Sequence, residues 1–200
     1  LSLVIANGTF RQLHAKWFSH KTQSTSQNWI IIGGFQNFPP FEFLDAEQKP
    51  NGFYCDITKE IAKEMGVTVD LRLLPNSKSL QLLKAGQIDA VQGLFYTEER
   101  AKHFDFTPPF THINYVIAAK IDSPDYNSVA QLKNKTIGVV RNSFMHHYAK
   151  ENKLDSNLIL TDDLLKLLKK LSRGDYAYAL VPRLPTLRLM KEHKIRSIKT

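Results

Sequence analysis

"LLKAGQIDAVQGLFYTEERAKHFDFTPPF", residues 82–110, decides the fold of this chain. Gly86 reads as the end of one helix, and "IDAVQGLF" reads as a buried strand. Thr97 then caps a short helix whose first turn carries Glu98 and Glu99, where the helix dipole favours acids. Arg100 closes that turn. "FDFTPPF" follows, with an acid, a hydroxyl and two prolines set between aromatics. Asp105 and Thr107 are expected to cap and tether this turn. Phe106 and Phe110 are expected to be core. Taken alone, Arg100 is an ordinary surface cation, so its meaning depends on the rest of the chain.

Outward from that stretch, strands and helices alternate. "NWIIIGGF" is a buried strand, followed by the Pro-rich turn "NFPPF". "ITKEIAKEM" places Ile57, Ile61 and Met65 four apart as one apolar helical stripe, with Asp56 as its N-cap and Gly66 after it. "VTVDLRLL" is a strand and "SKSLQLLKAG" a helix. After "INYVIAAK" the pattern restarts with "SVAQLKNK", "TIGVV", "SFMHHYAKEN" capped by Ser143, "NLILT", "DDLLKLLKKLSRG", "YAYALV", "LPTLRLMKEH" and "IRSIK". The expected class is α/β, with two lobes, each a mainly parallel sheet flanked by helices.

Composition narrows the function. The chain has 200 residues, 42% hydrophobic and 23% charged, which is enough for a buried core. No run of about 18 apolar residues is present to span a membrane. Cys55 is the single cysteine, so no internal disulfide and no cysteine zinc site can form. The formal charge is +8. Its densest stretch, from Arg183 to Lys199, has no aromatics to stack on bases, so it reads as a solvated face and no nucleic-acid partner is expected. His146 and His147 are adjacent on a helix and face different ways, so no metal site is expected. "NGT" and "NKT" fit the glycosylation triplet, which matters only in a eukaryotic secretory protein. Phosphate-loop, nucleophile-elbow and zinc-helix motifs are absent.

Three segments then carry a resemblance. "FPPFEFLDAEQKPNGFYCDITKEIAKEMGV" (38–67), the opening stretch (82–110) and "LKNKTIGVVRNS" (132–143) resemble, in order, three motifs of one family. It is the type II periplasmic solute-binding proteins that take polar amino acids, bacterial extracellular solute-binding family 3. The resemblance implies a two-lobed periplasmic-binding-protein-like (type II) fold that closes on a ligand like a hinge. Lobe 1 would be residues 29–117 and lobe 2 residues 118–200, with the hinge at 116–121. Residues 7–18, "NGTFRQLHAKWF", resemble the family's last helix, although here they come first. Residues 1–19 are therefore expected to be the tail of a preceding or permuted domain, and 20–28 a linker. The family's return hinge strand would follow Thr200, so lobe 1 is expected to show an unpaired edge.

The resemblance also implies a site. Arg100 matches the arginine that clamps the ligand carboxylate, as a planar fork can. Ser143 and the amides after it match the facing anion turn, with Asn142 standing where the family has glycine. Phe38 and Phe41 match aromatic platforms, and Gly93, Phe95 and Thr97 lie on the loop leading to Arg100. Two places depart. Phe95 stands where the family often has a hydroxyl for the ligand ammonium, and "GDYAYALVP" puts Ala177 and Pro182 where it has acids. A buried unpaired ammonium would be costly, so an organic acid becomes a plausible ligand beside an amino acid. The expected partners are a small carboxylate ligand and either a transporter permease or a membrane-bound sensor, outside the cytoplasm. No cofactor and no catalytic residue is expected. A dehydratase on the same scaffold and a non-binding signalling domain are the competing readings.

Overall fold

The computed structural model describes residues 2–6, 29–154 and 157–200. The chain divides into two compact units. The first takes Phe41–Leu74 and Lys78–His112 with the described residues up to Gln36, and the second takes Asn37–Pro40, Pro75–Ser77 and Ile113–Thr200.

The first unit opens with strand β1 (Ser2–Ala6), then β2 (Trp29–Phe35). β3 (Asn37–Phe38) belongs to the second unit, and the Pro39–Pro40 peptide after it is cis. β4 (Glu42–Leu44) and β5 (Pro50–Asn51) form a small antiparallel pair. Helix α1 (Phe53–Glu64), β6 (Thr68–Leu74), helix α2 (Asn76–Lys84), β7 (Ala90–Leu94), helix α3 (Glu98–Ala101) and β8 (Phe104–Phe106) follow. The sheet order is β6-β2-β7-β1-β8, with β2 parallel to both β6 and β7. β7 is buried along its whole length, as "AVQGL" between two layers requires. Leu83, Ile88, Val91, Leu94 and Phe104 form one core of this unit.

β1 lies antiparallel between β7 and β8, pairing Ile5 with both Ala90 and Asp105. The expected unpaired edge at this place is therefore corrected: the backbone of Ser2–Ala6 satisfies both neighbours. Residues 7–28, which include the helix-like segment and the linker, lie outside the described residues.

Helix α1 differs from its sequence reading in two ways. It starts at Phe53, not after Asp56, and its N-cap is Gly52 at φ 113° with no side-chain cap. The Tyr54 N–H, one of the donors a helix start leaves open, is taken by the Phe41 carbonyl at 2.7 Å. The buried face is Tyr54, Cys55, Thr58 and Ala62, while Ile61 and Met65 are exposed. Small and polar side chains let the helix sit close on the sheet, where Thr58 reaches Gln92.

The second unit continues with β9 (Tyr115–Lys120), a 3-10 turn (Val129–Leu132), β10 (Ile137–Val140), helix α4 (Phe144–Glu151) and β11 (Leu158–Thr161). Helix α5 (Leu164–Arg173), β12 (Tyr178–Pro182), helix α6 (Arg183–Glu192) and β13 (Ile198–Lys199) complete it. The order is β11-β10-β12-β9-β13, with β10 parallel to β11 and β12, and β9 antiparallel to β12 and β13. Leu164, Leu167, Leu168 and Leu171 of α5 fill one core with Val181, Leu189 and Ile198. Leu132, Met145 and Ala149 join a second, with Ile137 and Val139. Asp163 caps α5, and Gly174 ends it at φ 87°.

β9 belongs wholly to the second unit, and its residues Tyr115–Ala119 pair one by one with β12. The hinge expected at 116–121 therefore falls on a fully paired strand, and the first unit ends at His112. The basic side chains from Arg183 to Arg196 are exposed, with Arg188 on Glu192 at 2.9 Å, while Lys199 is half-buried and reaches Asp125 at 2.9 Å.

Candidate functional site

In the first unit, Phe95, Thr97 and Arg100 come together on the loop between β7 and α3. Thr97 caps α3 by accepting from the Arg100 N–H at 3.2 Å. The Arg100 side chain turns back, and its Nη1 donates to the Phe95 carbonyl at 2.7 Å. That bond fixes the plane of the guanidinium, and the residue is only 6% exposed. The surface reading of Arg100 is thereby excluded. A buried, oriented guanidinium suits two parallel bonds to a carboxylate.

Beneath this loop lies a polar cluster that the sequence reading missed. Glu42, directly after the Pro-Pro turn, is fully buried. Its Oε2 accepts from Gln92 Nε2 at 2.9 Å, and Gln92 Oε1 accepts from Thr58 Oγ1 at 2.6 Å. The same Nε2 reaches the Cys55 Sγ at 3.5 Å. Glu42 Oε1 has no hydrogen-bond partner among the described residues. Burial pushes the Glu42 carboxyl up to about 8, against the lowering pull of Gln92 and the Phe35 backbone. At neutral pH it is therefore an uncharged acid. Gly93 is buried beside it at φ 67°, and a Cβ there would stand 2.6 Å from Glu42 Oε1. Both the backbone and the neighbour demand glycine at that position. Two signals could have revealed this cluster: a glutamine inside an otherwise apolar strand, and an acid locked behind two prolines.

The aromatic platform divides. Phe41 is half-buried and stacks on Tyr54, with ring centroids 5.1 Å apart. Tyr54 also meets the edge of Phe110 at 5.4 Å. Phe110 itself is 43% exposed, so its assignment to the core is corrected; the two prolines before it carry it past the sheet. Phe106 is half-buried against the core, in strand β8 rather than in a turn. The Thr107 hydroxyl donates to the Pro108 carbonyl at 3.2 Å. Phe38 is half-buried and lies on β3, which packs against α5 in the second unit.

In the second unit, Asn142 and Ser143 form one turn at the start of α4. Asn142 takes φ 57°, a conformation that asparagine tolerates, which accounts for it in place of glycine. The Ser143 side chain accepts from the His146 N–H at 3.2 Å. The Asn142 N–H donates to His146 Nδ1 at 3.2 Å. Burial lowers the His146 pKa, and Lys150, His147 and Arg141 lower it further. Ala177 is half-buried and Pro182 buried, and neither carries an acceptor in its side chain. Among the described residues no group of three or more histidines, cysteines or acids could hold a metal ion. No described helix is long and apolar enough to cross a membrane.

Comparison with known proteins finds relatives in sequence and in fold. Residues 30–184 match the model of the bacterial extracellular solute-binding proteins, family 3. The chain is 31% identical over 152 residues to the arginine-binding extracellular protein ArtP of Bacillus subtilis (strain 168), covering 76% of this chain and 58% of that one. It is 33% identical over 135 residues to the arginine-binding periplasmic protein of Mannheimia haemolytica, covering 67% of this chain and 54% of that one. The chain thus spans little more than half the length of these relatives. Among solved structures, a histidine kinase sensor domain with similarity to periplasmic binding proteins superposes with a TM-score of 0.84 at 34% identity, over 86% of this chain and 76% of that one. An ancestral arginine-binding protein bound to glutamine gives a TM-score of 0.78 at 27% identity, over 87% and 78%.

Proposed function

Because this chain belongs to the bacterial extracellular solute-binding proteins, family 3, we propose that it works outside the cytoplasm by closing on a small carboxylate-bearing ligand. Arg100 forks onto the carboxylate. Ser143 and the amides of the Asn142 turn, which match the family's anion turn, are the ligand contacts that the second unit would supply. Phe41 and Phe38 cover its apolar body, and the Gly93–Thr97 loop lines its approach. The observation that carries this reading is the buried Arg100, held in plane by the Phe95 carbonyl within the family's own motif.

The ligand's α-ammonium is dispensable in this reading. Phe95, Ala177 and Pro182 offer no side-chain acceptor where the family supplies one. The relatives named for arginine set the frame for the test: L-arginine against 5-guanidinovalerate, its counterpart without the ammonium. Calorimetric titration of both into the wild type and Arg100→Ala is the experiment. Removing Arg100 is expected to cost roughly 2–5 kcal/mol of binding, a loss of about thirtyfold to several thousandfold in affinity. Tight binding that survives the substitution would sink the clamp. A hundredfold preference for L-arginine would sink the ammonium half.

The similarity to a histidine kinase sensor domain supports sensing, beside ABC-type uptake, as a use of the bound state. The dehydratase reading lacks support, since the second-unit position that would hold an acid is Pro182. The relatives matched are solute-binding proteins.

A further inference from the structure

The start of helix α4 is a variant of the capping box, with a histidine where glutamate or glutamine usually stands and its acceptor turned to the N–H one residue before the cap. In the ordinary box, the cap side chain accepts from the N3 backbone, and the N3 side chain accepts from the backbone at the cap. This chain contains an ordinary example. Ser128 accepts from the Ala130 N–H at 3.2 Å, and Gln131 Oε1 accepts from the Asn127 and Ser128 N–H groups at 2.9 and 3.0 Å. At α4 the N-cap is Ser143 and the third residue is His146. Ser143 Oγ accepts from the His146 N–H, and His146 Nδ1 accepts from the Asn142 N–H, each at 3.2 Å. The Ser143 N–H goes instead to the Val140 carbonyl, also at 3.2 Å.

A backbone N–H can only donate, so Nδ1 must carry a lone pair, and the imidazole is neutral with its proton on Nε2. Protonation would set one N–H against another. We propose that His146 is a positioning residue for the Asn142–Ser143 turn, and that its protonation opens the turn and releases the ligand held there. The second half rests on the reading that this turn faces the ligand.

The surroundings agree with a neutral ring. His146 is 8% exposed. Lys150 and His147 lie on its own helix, and Arg141 lies on the turn before it. Arg141 reaches Asp162, just past β11, at 3.8 Å, and Lys166 reaches the same acid at 3.3 Å, so that acid is shared between two cations. β10, on which α4 packs, carries no titratable side chain. The His146 pKa lies below the ordinary ~6.5. The turn is therefore intact at neutral pH and is lost as the medium acidifies past the lowered value. Gln131 shows what a non-titrating residue does at the same place.

The experiment is nuclear magnetic resonance of the wild type, His146→Gln and His146→Leu without ligand, titrated from neutral pH downward. Expected in the wild type is a His146 Nδ1 signal of an unprotonated nitrogen. The Asn142 amide should share the titration midpoint of His146, and its exchange protection should fall roughly threefold to tenfold across that midpoint, the range of one net hydrogen bond. His146→Gln should keep protection without the pH step, and His146→Leu should lose protection at every pH. An Asn142 amide indifferent to the His146 midpoint, or protected equally in His146→Leu, overturns the positioning role. A second arm measures L-arginine and 5-guanidinovalerate binding across the same range. Affinity falling with acid in the wild type and flat in His146→Gln supports the release step. An opening turn with pH-independent affinity overturns the release step, and with it the placing of Ser143 at the ligand, while the positioning role stands.

Discussion

Glu42 is the residue whose burial has the most direct thermodynamic consequence. Its folded pKa, about 8, lies above the ordinary ~4.3 of an exposed glutamate. The folded chain therefore holds a proton that the unfolded chain has released. The stability tied to that proton is whole below about pH 4 and is lost as pH rises towards 8. Glu42→Gln cannot titrate, and its amide can still meet Gln92. Urea unfolding at mildly acidic and mildly alkaline pH should show the variant gaining on the wild type as pH rises. Parallel pH curves for the two proteins would contradict the buried, neutral acid. The caps Thr97 and Ser143 could be read from their spacing, because cap geometry is local. Glu42 could not, because its burial is made by Gln92, fifty positions away, and by two glycines that leave room for it.

At the scale of elements, α5 and α1 separate what periodicity can and cannot say. The α5 pattern Leu164, Leu167, Leu168, Leu171 is the face that is buried. The α1 stripe of Ile57, Ile61 and Met65 is not, and the helix turns its smaller residues to the sheet. Leu168→Ala should cost about 2–5 kcal/mol, as a fully buried leucine leaves a cavity. Ile61→Ser should stay within roughly 0.5 kcal/mol, the range of an exposed site. Thermal or chemical unfolding of the two variants checks both, and a large loss at Ile61 would mean that something covers that face. The stripe misled because the buried face of α1 is set by Tyr54 and by Thr58 reaching Gln92 on β7. Hydrophobicity alone does not report such packing.

For the whole molecule, the α/β alternation and the order of three motifs were enough to give the fold class. Where the first unit gives way to the second was readable only approximately: expected after residue 117, it falls after His112. That point depends on β9 pairing along its length with β12, which lies some 60 positions later in the chain. The proposed closure predicts that a ligand raising the melting temperature also lowers the radius of gyration in solution scattering. An unchanged profile with such a ligand would remove closure from the mechanism.

The seat of β1 also bears on how the chain folds. The ladder partners of Ser2–Ala6 in β8 lie about 100 positions downstream. At roughly 5–20 residues per second of synthesis, the strand waits about 5–20 s for its β8 partners to be made. Throughout that interval "SLVIA" is a bare apolar strand with both sides of its ladder open, the kind of segment that a chaperone holds or another chain captures. The strand is thus seated only once β7 and β8 have both been made.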